Sequence, residues 1–221
     1  MIRKIFSYLV PITIYKAKSS WSKSIEITWN HGQLVLDSEN TNYSYGSLQR
    51  ILRLGLKTIG FRQIKKMDRV LVLGVAGGSV IKTLVDDIQY KGTITGVEID
   101  AEVIQIANRY FNLDAIPKLN LVVADAFEYV LQTNTKYDLI IVDVFQDTTM
   151  PNFLFENFFT KKLCSLLEVN GYILFNTMIL NSIDEQRNSK YSSEFYQPNF
   201  RIKKIPRIEN HNELLIIEKI K

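Results

Sequence analysis

The stretch RVLVLGVAGGS, residues 69–79, decides the fold. Its first part, Val70 to Leu73, is apolar at every position, so a strand here must be buried on both faces rather than on one. Its second part supplies Gly74, Gly77 and Gly78 and then Ser79, the composition of a tight turn that hands the chain to a helix. SVIKTLVDDIQ (79–89) follows with the apolar spacing of an amphipathic helix. The same alternation then repeats. TITGVEI (93–99) reads as a strand, AEVIQIANRYF (101–111) as a helix, LNLVVAD (119–125) as a strand, AFEYVLQT (126–133) as a short helix and YDLIIVD (137–143) as a strand. FENFFTKKLCSLLE (155–168) is a predicted helix, Gly171 its stop signal and YILFNT (172–177) the next strand. Buried strands alternating with helices predict an α/β fold, a doubly wound and mostly parallel sheet. The final segments FRIKKIP (200–206) and ELLIIEKI (213–220), joined by a short polar link, predict a closing antiparallel hairpin. Between them and the sheet, SIDEQRNSKYSSEFYQ (182–197) reads as a polar helix or loop.

Upstream of residue 47 the pattern differs. SIEITWNHGQLVLD (24–37) is two alternating runs around Asn30-His31-Gly32, a hairpin signal that places His31 in a turn. Residues 1–46 are therefore expected to form a small N-terminal β-hairpin segment and residues 47–221 the nucleoside-binding domain. The first 25 residues carry Arg3, Lys4, Lys16, Lys18 and Lys23 and no acid. Their apolar run is about a dozen residues long and broken by Pro11, short of the ~20 that span a bilayer, so stable membrane insertion is not expected. A hairpin of this size is marginal alone, and a homodimer held by this segment is the expectation. With 46% apolar and 23% charged residues in 221, the chain has the composition of a globular protein and not of a disordered one. Its net charge of +4 is spread along the chain rather than gathered into a stripe, which speaks against a nucleic-acid partner. The single cysteine, Cys164, excludes an internal disulfide, suits a cytoplasmic location and falls on the apolar side of its helix with Leu163 and Leu167, as a core residue. His31 and His211 lie in separate turns, and no metal site is expected.

In open α/β sheets ligands bind at the carboxyl ends of the strands. Those ends carry, in order, the glycine turn, Glu98, Asp125 and Asp143. A phosphate-binding loop of the G-x-x-x-x-G-K-[ST] type is excluded, because no lysine stands in place. The G-x-G-x-x-G dinucleotide pattern fails too, with Ala76 and Ser79 where its second and third glycines belong, and three acids are poor company for phosphates. An adenosine ligand bearing a positive charge instead of phosphates fits: a sulfonium. A glycine turn, an acid for the ribose hydroxyls and an acid for the adenine amino group mark the class I S-adenosylmethionine-type transferases, with a Rossmann-like sheet of the class I methyltransferase type.

VLVLGVAGGSV, GVEIDAEVIQIANRYF, LVVADAFEYV, YDLIIVDVFQDTTMP and LFENFFTKKLCSLLEVNGYILFNT together resemble the spermidine synthase-like proteins, over about residues 24–177. VLDSENTNYSYG resembles that family's N-terminal part. The resemblance implies that Gly74, Ala76 and Gly78 cradle the methionine-derived part of S-adenosylmethionine or its decarboxylated form, that Glu98 binds ribose, and that Asp125 with Ala126 meets adenine. It also implies that the fourth strand ends in a D-[ST]-[ST]-D-P motif whose acids bind and deprotonate an amine. Here that motif departs to Asp143-Val144-Phe145-Gln146-Asp147: the first acid matches, and the second has moved one place along. Asp143 and Asp147 are the expected catalytic residues, and the acceptor is a small molecule, with an amine as the candidate class. The altered motif tips the expectation slightly towards methyl transfer; a genuine aminopropyltransferase and a non-catalytic nucleoside-binding protein stand as alternatives.

Overall fold

The computed structural model describes residues 2–38, 42–146, 149–195 and 197–221. Its centre is a seven-stranded sheet in the order β10-β11-β9-β8-β5-β6-β7. β5 (Arg69–Leu73), β6 (Thr93–Glu98), β7 (Leu119–Val123), β8 (Tyr137–Val142) and β9 (Leu167–Met178) are parallel. β11 (Asn212–Lys219) runs antiparallel to β9, and β10 (Phe200–Ile208) antiparallel to β11. The expected closing hairpin is there. The chain winds outwards from β5 through β6 to β7 and then returns to place β8 on the other side of β5. The direction therefore reverses between β5 and β8, and a crevice opens between their carboxyl ends.

Alternation along each strand builds two cores. Val70 and Val72 of β5 with Leu139 and Ile141 of β8 face the side covered by α2 (Gly46–Ile59), while Leu71, Leu73, Ile140 and Val142 face the side that holds Phe159 and Leu163 of α7 (Asn157–Leu166). All eight strand residues are fully buried. Each such side chain contributes roughly 1.5–3 kcal/mol, and a register slip by one residue would exchange the two sets, so the register at the crevice is firmly fixed. Cys164 packs against the second core, and burial pushes its thiol up to about 11, as suits a structural residue.

The N-terminal part holds more strand than its hairpin signal implied. α1 (Ile2–Phe6) precedes a four-stranded antiparallel sheet of β1 (Ile12–Ala17), β2 (Ile25–Asn30), β3 (Gln33–Ser38) and β4 (Asn42–Ser44). The β2–β3 hairpin turns through His31 and Gly32, both at positive φ, as a two-residue turn requires. Ile25, Ile27 and Leu36 pack against Val103, Ile106 and Phe111 of α5 (Ala101–Phe111), so this sheet leans on the helix that follows the second strand end.

Three helix boundaries differ from the sequence pattern. The helix expected over 79–89 is α4 (Ser79–Lys82), continued by a wider π-type turn over Thr83–Asp87. The helix expected over 155–168 is a 3₁₀ turn (Asn152–Phe155) followed by α7 (Asn157–Leu166), and the chain enters β9 at Leu167, where it pairs with Tyr137. Gly171 is consequently inside β9 and no helix stop. Asn170 takes the left-handed conformation there, at φ 65°. The polar segment after β9 is a helix, α8 (Ser182–Ser193), capped by Asn181, whose side chain accepts from the amides of Ile183 and Asp184. α3 (Phe61–Ile64) and α6 (Ala126–Gln132) complete the set. Among the described residues no helix is long and apolar enough to cross a membrane.

Candidate active site

The crevice is a cleft of about 480 Å³, and the glycine turn forms one wall. Gly74 follows β5 with φ 86°, and its amide donates to the Val97 carbonyl at 2.9 Å. A Cβ at this position would lie 2.1 Å from the carbonyl oxygen of Asp143, so only glycine lets β5 and β8 end side by side. Ala76, which stands where a dinucleotide loop has a glycine, adopts φ 47° all the same. Its strained backbone is held by Glu98: the amides of Val75 and Ala76 donate to Glu98 Oε2 at 3.1 and 3.0 Å, and the Asp100 amide to Oε1 at 3.1 Å. Burial raises the Glu98 pKa, and these three backbone donors pull it back. A carboxylate has roughly four acceptor positions, so Glu98 keeps about one for anything in the cleft.

Two further acids cap helices whose N-termini face the cleft. Asp100 caps α5, accepting from the Glu102 amide at 3.0 Å, and the Ser19 hydroxyl donates to its other oxygen. Asp125 caps α6, accepting from the Phe127 amide at 2.6 Å, and Ala126 is buried behind it. The Ser19 contact brings the link between β1 and β2 over the cleft, where Trp21 and Ser22 line its edge.

Asp143 lies across from the glycine turn. Its amide donates to the Leu73 carbonyl at 2.9 Å, and its carboxylate Oδ1 accepts from Nδ2 of Asn176 at 2.9 Å. Asp143 is half-buried and lines the cleft. That burial, with the charge of Glu98 adding to it and the Asn176 hydrogen bond opposing, pushes its pKa up to about 7. An acid in that range takes a proton more readily than an ordinary carboxylate, which gives it the character of a general base near neutral pH. Beyond Asp143 the wall turns apolar, with Val144, Phe145, Pro151, Phe153, Met178 and Leu180, and Gln146 lines it as well.

The structure brings Gly74, Ala76, Glu98, Asp125, Ala126 and Asp143 to one cleft. Gly78 begins α4 at φ 77°, with its Cα against Leu113, and shapes the turn from behind. Asp147 lies outside the described residues; its neighbours Gln146 and Thr149 exchange backbone hydrogen bonds of 2.8 and 3.0 Å. Sequence reasoning missed Trp21, Asn176, His211 and Asn212, all on the cleft. Only Asn176 had a usable signal, a polar residue at the end of an otherwise apolar strand. Among the described residues no group of three or more His, Cys, Asp or Glu could hold a metal ion.

A family model for the spermine/spermidine synthase domain matches residues 54–202. The chain belongs to that family. The spermine/spermidine synthase match thus runs from α2 into β10 and takes in every acid of the cleft. A polyamine aminopropyltransferase of Vibrio vulnificus is 32% identical over 143 residues, which cover 62% of this chain and 47% of that protein. The chain spans about half the length of the curated relatives it matches. A spermidine synthase solved with the transition-state analogue AdoDATO superimposes with a TM-score of 0.68 at 18% identity, covering 94% of this chain and 72% of that one. Human methyltransferase-like protein 13, solved with SAH, does so with a TM-score of 0.64 at 21% identity, covering 80% and 83%. At these identities the two structures share the fold. The relatives that the chain matches are named for aminopropyl transfer and lend no support to the slight preference for methyl transfer that the altered motif suggested.

Proposed function

We propose that this chain is a transferase that alkylates an amine from an S-adenosyl sulfonium donor, with decarboxylated S-adenosylmethionine and aminopropyl transfer as the favoured pair. One observation carries the choice of donor. The cleft presents Glu98, Asp100, Asp125 and Asp143, and among its described lining residues there is no Lys or Arg. S-adenosylmethionine brings a carboxylate that such a surface repels. The decarboxylated form brings an ammonium and a sulfonium, which it attracts. The family and the names of the relatives support the same pair.

Gly74 and Ala76 would leave room for the sulfonium side of the donor, with Gly78 shaping the turn behind them, the remaining acceptor position of Glu98 would take a ribose hydroxyl, and Asp125 with Ala126 would meet adenine. When bound, the donor supplies an electrophilic carbon beside its sulfur. Asp143 would take the proton from the incoming amine, whose ordinary pKa of ~10 keeps it protonated and unreactive at neutral pH. Beyond that the cleft contributes position, holding the reacting atoms in line while its apolar wall excludes water.

The test is a turnover assay with each donor and putrescine, read by mass spectrometry, on the wild type and on Gln146→Asp. Aminopropylated product and methylthioadenosine from the decarboxylated donor are expected, and more of both from the variant, which restores the acid that the family motif has at this place. S-adenosylhomocysteine from S-adenosylmethionine would instead establish methyl transfer. Tight donor binding without turnover on any amine would mean a nucleoside-binding protein.

A further inference from the structure

Asp143 takes its side-chain hydrogen bond from an amide, and an amide has two unlike ends. Asn176 can steady a carboxylate only if its NH2 group, not its carbonyl, faces Asp143. Something must hold it that way. Asn176 is fully buried near the carboxyl end of β9, where its backbone pairs opposite Leu214 of β11. Asn212, two residues before Leu214, lies on the same face of the sheet and is 9% exposed. Its Nδ2 donates to Asn176 Oδ1 at 3.0 Å. The three side chains therefore form a chain with a single sense: Asn212 donates to Asn176, and Asn176 donates to Asp143. The backbone fixes the far end, since the carbonyl of His211 accepts from the Ile179 amide at 2.7 Å and Asn212 pairs with Met178.

We propose that Asn212 is a positioning residue for Asp143, acting through Asn176 to keep an amide donor on the carboxylate. This deepens the reading of Asp143 as the amine's base and rests on it. The C-terminal hairpin thereby acquires a role in the site, because β11 reaches back across β9 to set the hydrogen bonding of the residue at the end of β8. Donation to the ionised form favours that form, so loss of the relay should make Asp143 harder to ionise. The other titratable groups on this cleft are Glu98 at the end of β6, Asp100 before α5, Asp125 before α6 and His211 before β11, and none of them stands in the relay.

Two variants separate the relay from mere packing. Asn212→Leu removes the donor. Asn212→Asp reverses it, because a carboxylate only accepts and would turn the Asn176 NH2 group towards itself, leaving a carbonyl against Asp143. Two quantities are followed: the acid limb of kcat/KM against pH, and the titration of the Asp143 carboxyl carbon in 13C-labelled, ligand-free protein, assigned by its absence in Asp143→Asn. Both should move to higher pH, by about half to one unit in the leucine variant and further in the aspartate variant, with the alkaline plateau of kcat little changed. The carboxyl titration needs no turnover. If it shifts in that order while no donor and amine react, the positioning role stands and the transferase reading fails. If it stays where the wild type has it, in whichever variant folds, the inference is overturned, even if the melting temperature falls.

Discussion

Two carboxylates, Glu98 and Asp143, line the cleft, and both are half-buried; they differ in what holds them. Glu98 rests on three backbone amides, at 3.0 to 3.1 Å. Asp143 rests on one side-chain amide at 2.9 Å. Backbone donors cannot turn away, so Glu98 is as much a strut of the glycine turn as a group for binding. Asp143 has fewer donors and Glu98's charge nearby, and its pKa is pushed up to about 7. One acid of the cleft is thus held by the backbone and the other by a side chain.

The largest effect is expected at the seam between the two ends. Gly74→Ala would drive a methyl group into the Asp143 carbonyl at a positive φ, and parting β5 from β8 there should cost roughly 2–4 kcal/mol. Chemical denaturation measures this, and a midpoint near the wild type would mean that the two strand ends are not tied together. Glu98→Ala removes both the strut and the proposed ribose acceptor. Donor affinity by calorimetry should fall roughly 10- to 100-fold, in line with ~1.5–3 kcal/mol for a charge-assisted hydrogen bond. Unchanged affinity would place the donor elsewhere. The smallest effect is expected for Ala76→Gly. Relieving a left-handed alanine gains roughly 1 kcal/mol, and the added freedom of the unfolded chain takes much of that back. The melting temperature should rise slightly or hold, with donor affinity intact; a clear fall would show that the Ala76 methyl packs on something the cleft needs.

Much of this was legible in the sequence because it is local. A buried strand, a glycine turn and an acid at each strand end are read within a dozen residues, and they located Gly74, Glu98, Asp125 and Asp143. The relay was not legible. Asn176 and Asn212 meet only because β11 pairs antiparallel with β9, and no local pattern announces that. Trp21 reaches the cleft through the contact of Ser19 with Asp100, which joins residues 81 positions apart. β1 was hidden for a different reason: its alternation, ITIYKA, runs on directly from an apolar stretch and loses its period there. The early exit from α7 follows from strand pairing at Leu167, which outweighs the helical spacing of the residues around it.

In the proposed role Asp143 is buried at a cost to the fold so that it can act as a base, and the stability of Asp143→Asn as a function of pH measures that cost. The fold favours the neutral carboxyl, whose pKa rises from 3.8 to about 7. Its contribution to stability is therefore whole below about pH 4 and is lost as the pH climbs to about 7. Asparagine never ionises. The variant should match the wild type near pH 4 and exceed it above pH 7, by at most about 4 kcal/mol and by less where cleft water screens the charge. Turnover should meanwhile fall at least ~100-fold, the scale of a lost general base. A variant less stable than the wild type at pH 8 and still active would instead make Asp143 a cap for its loop and nothing more.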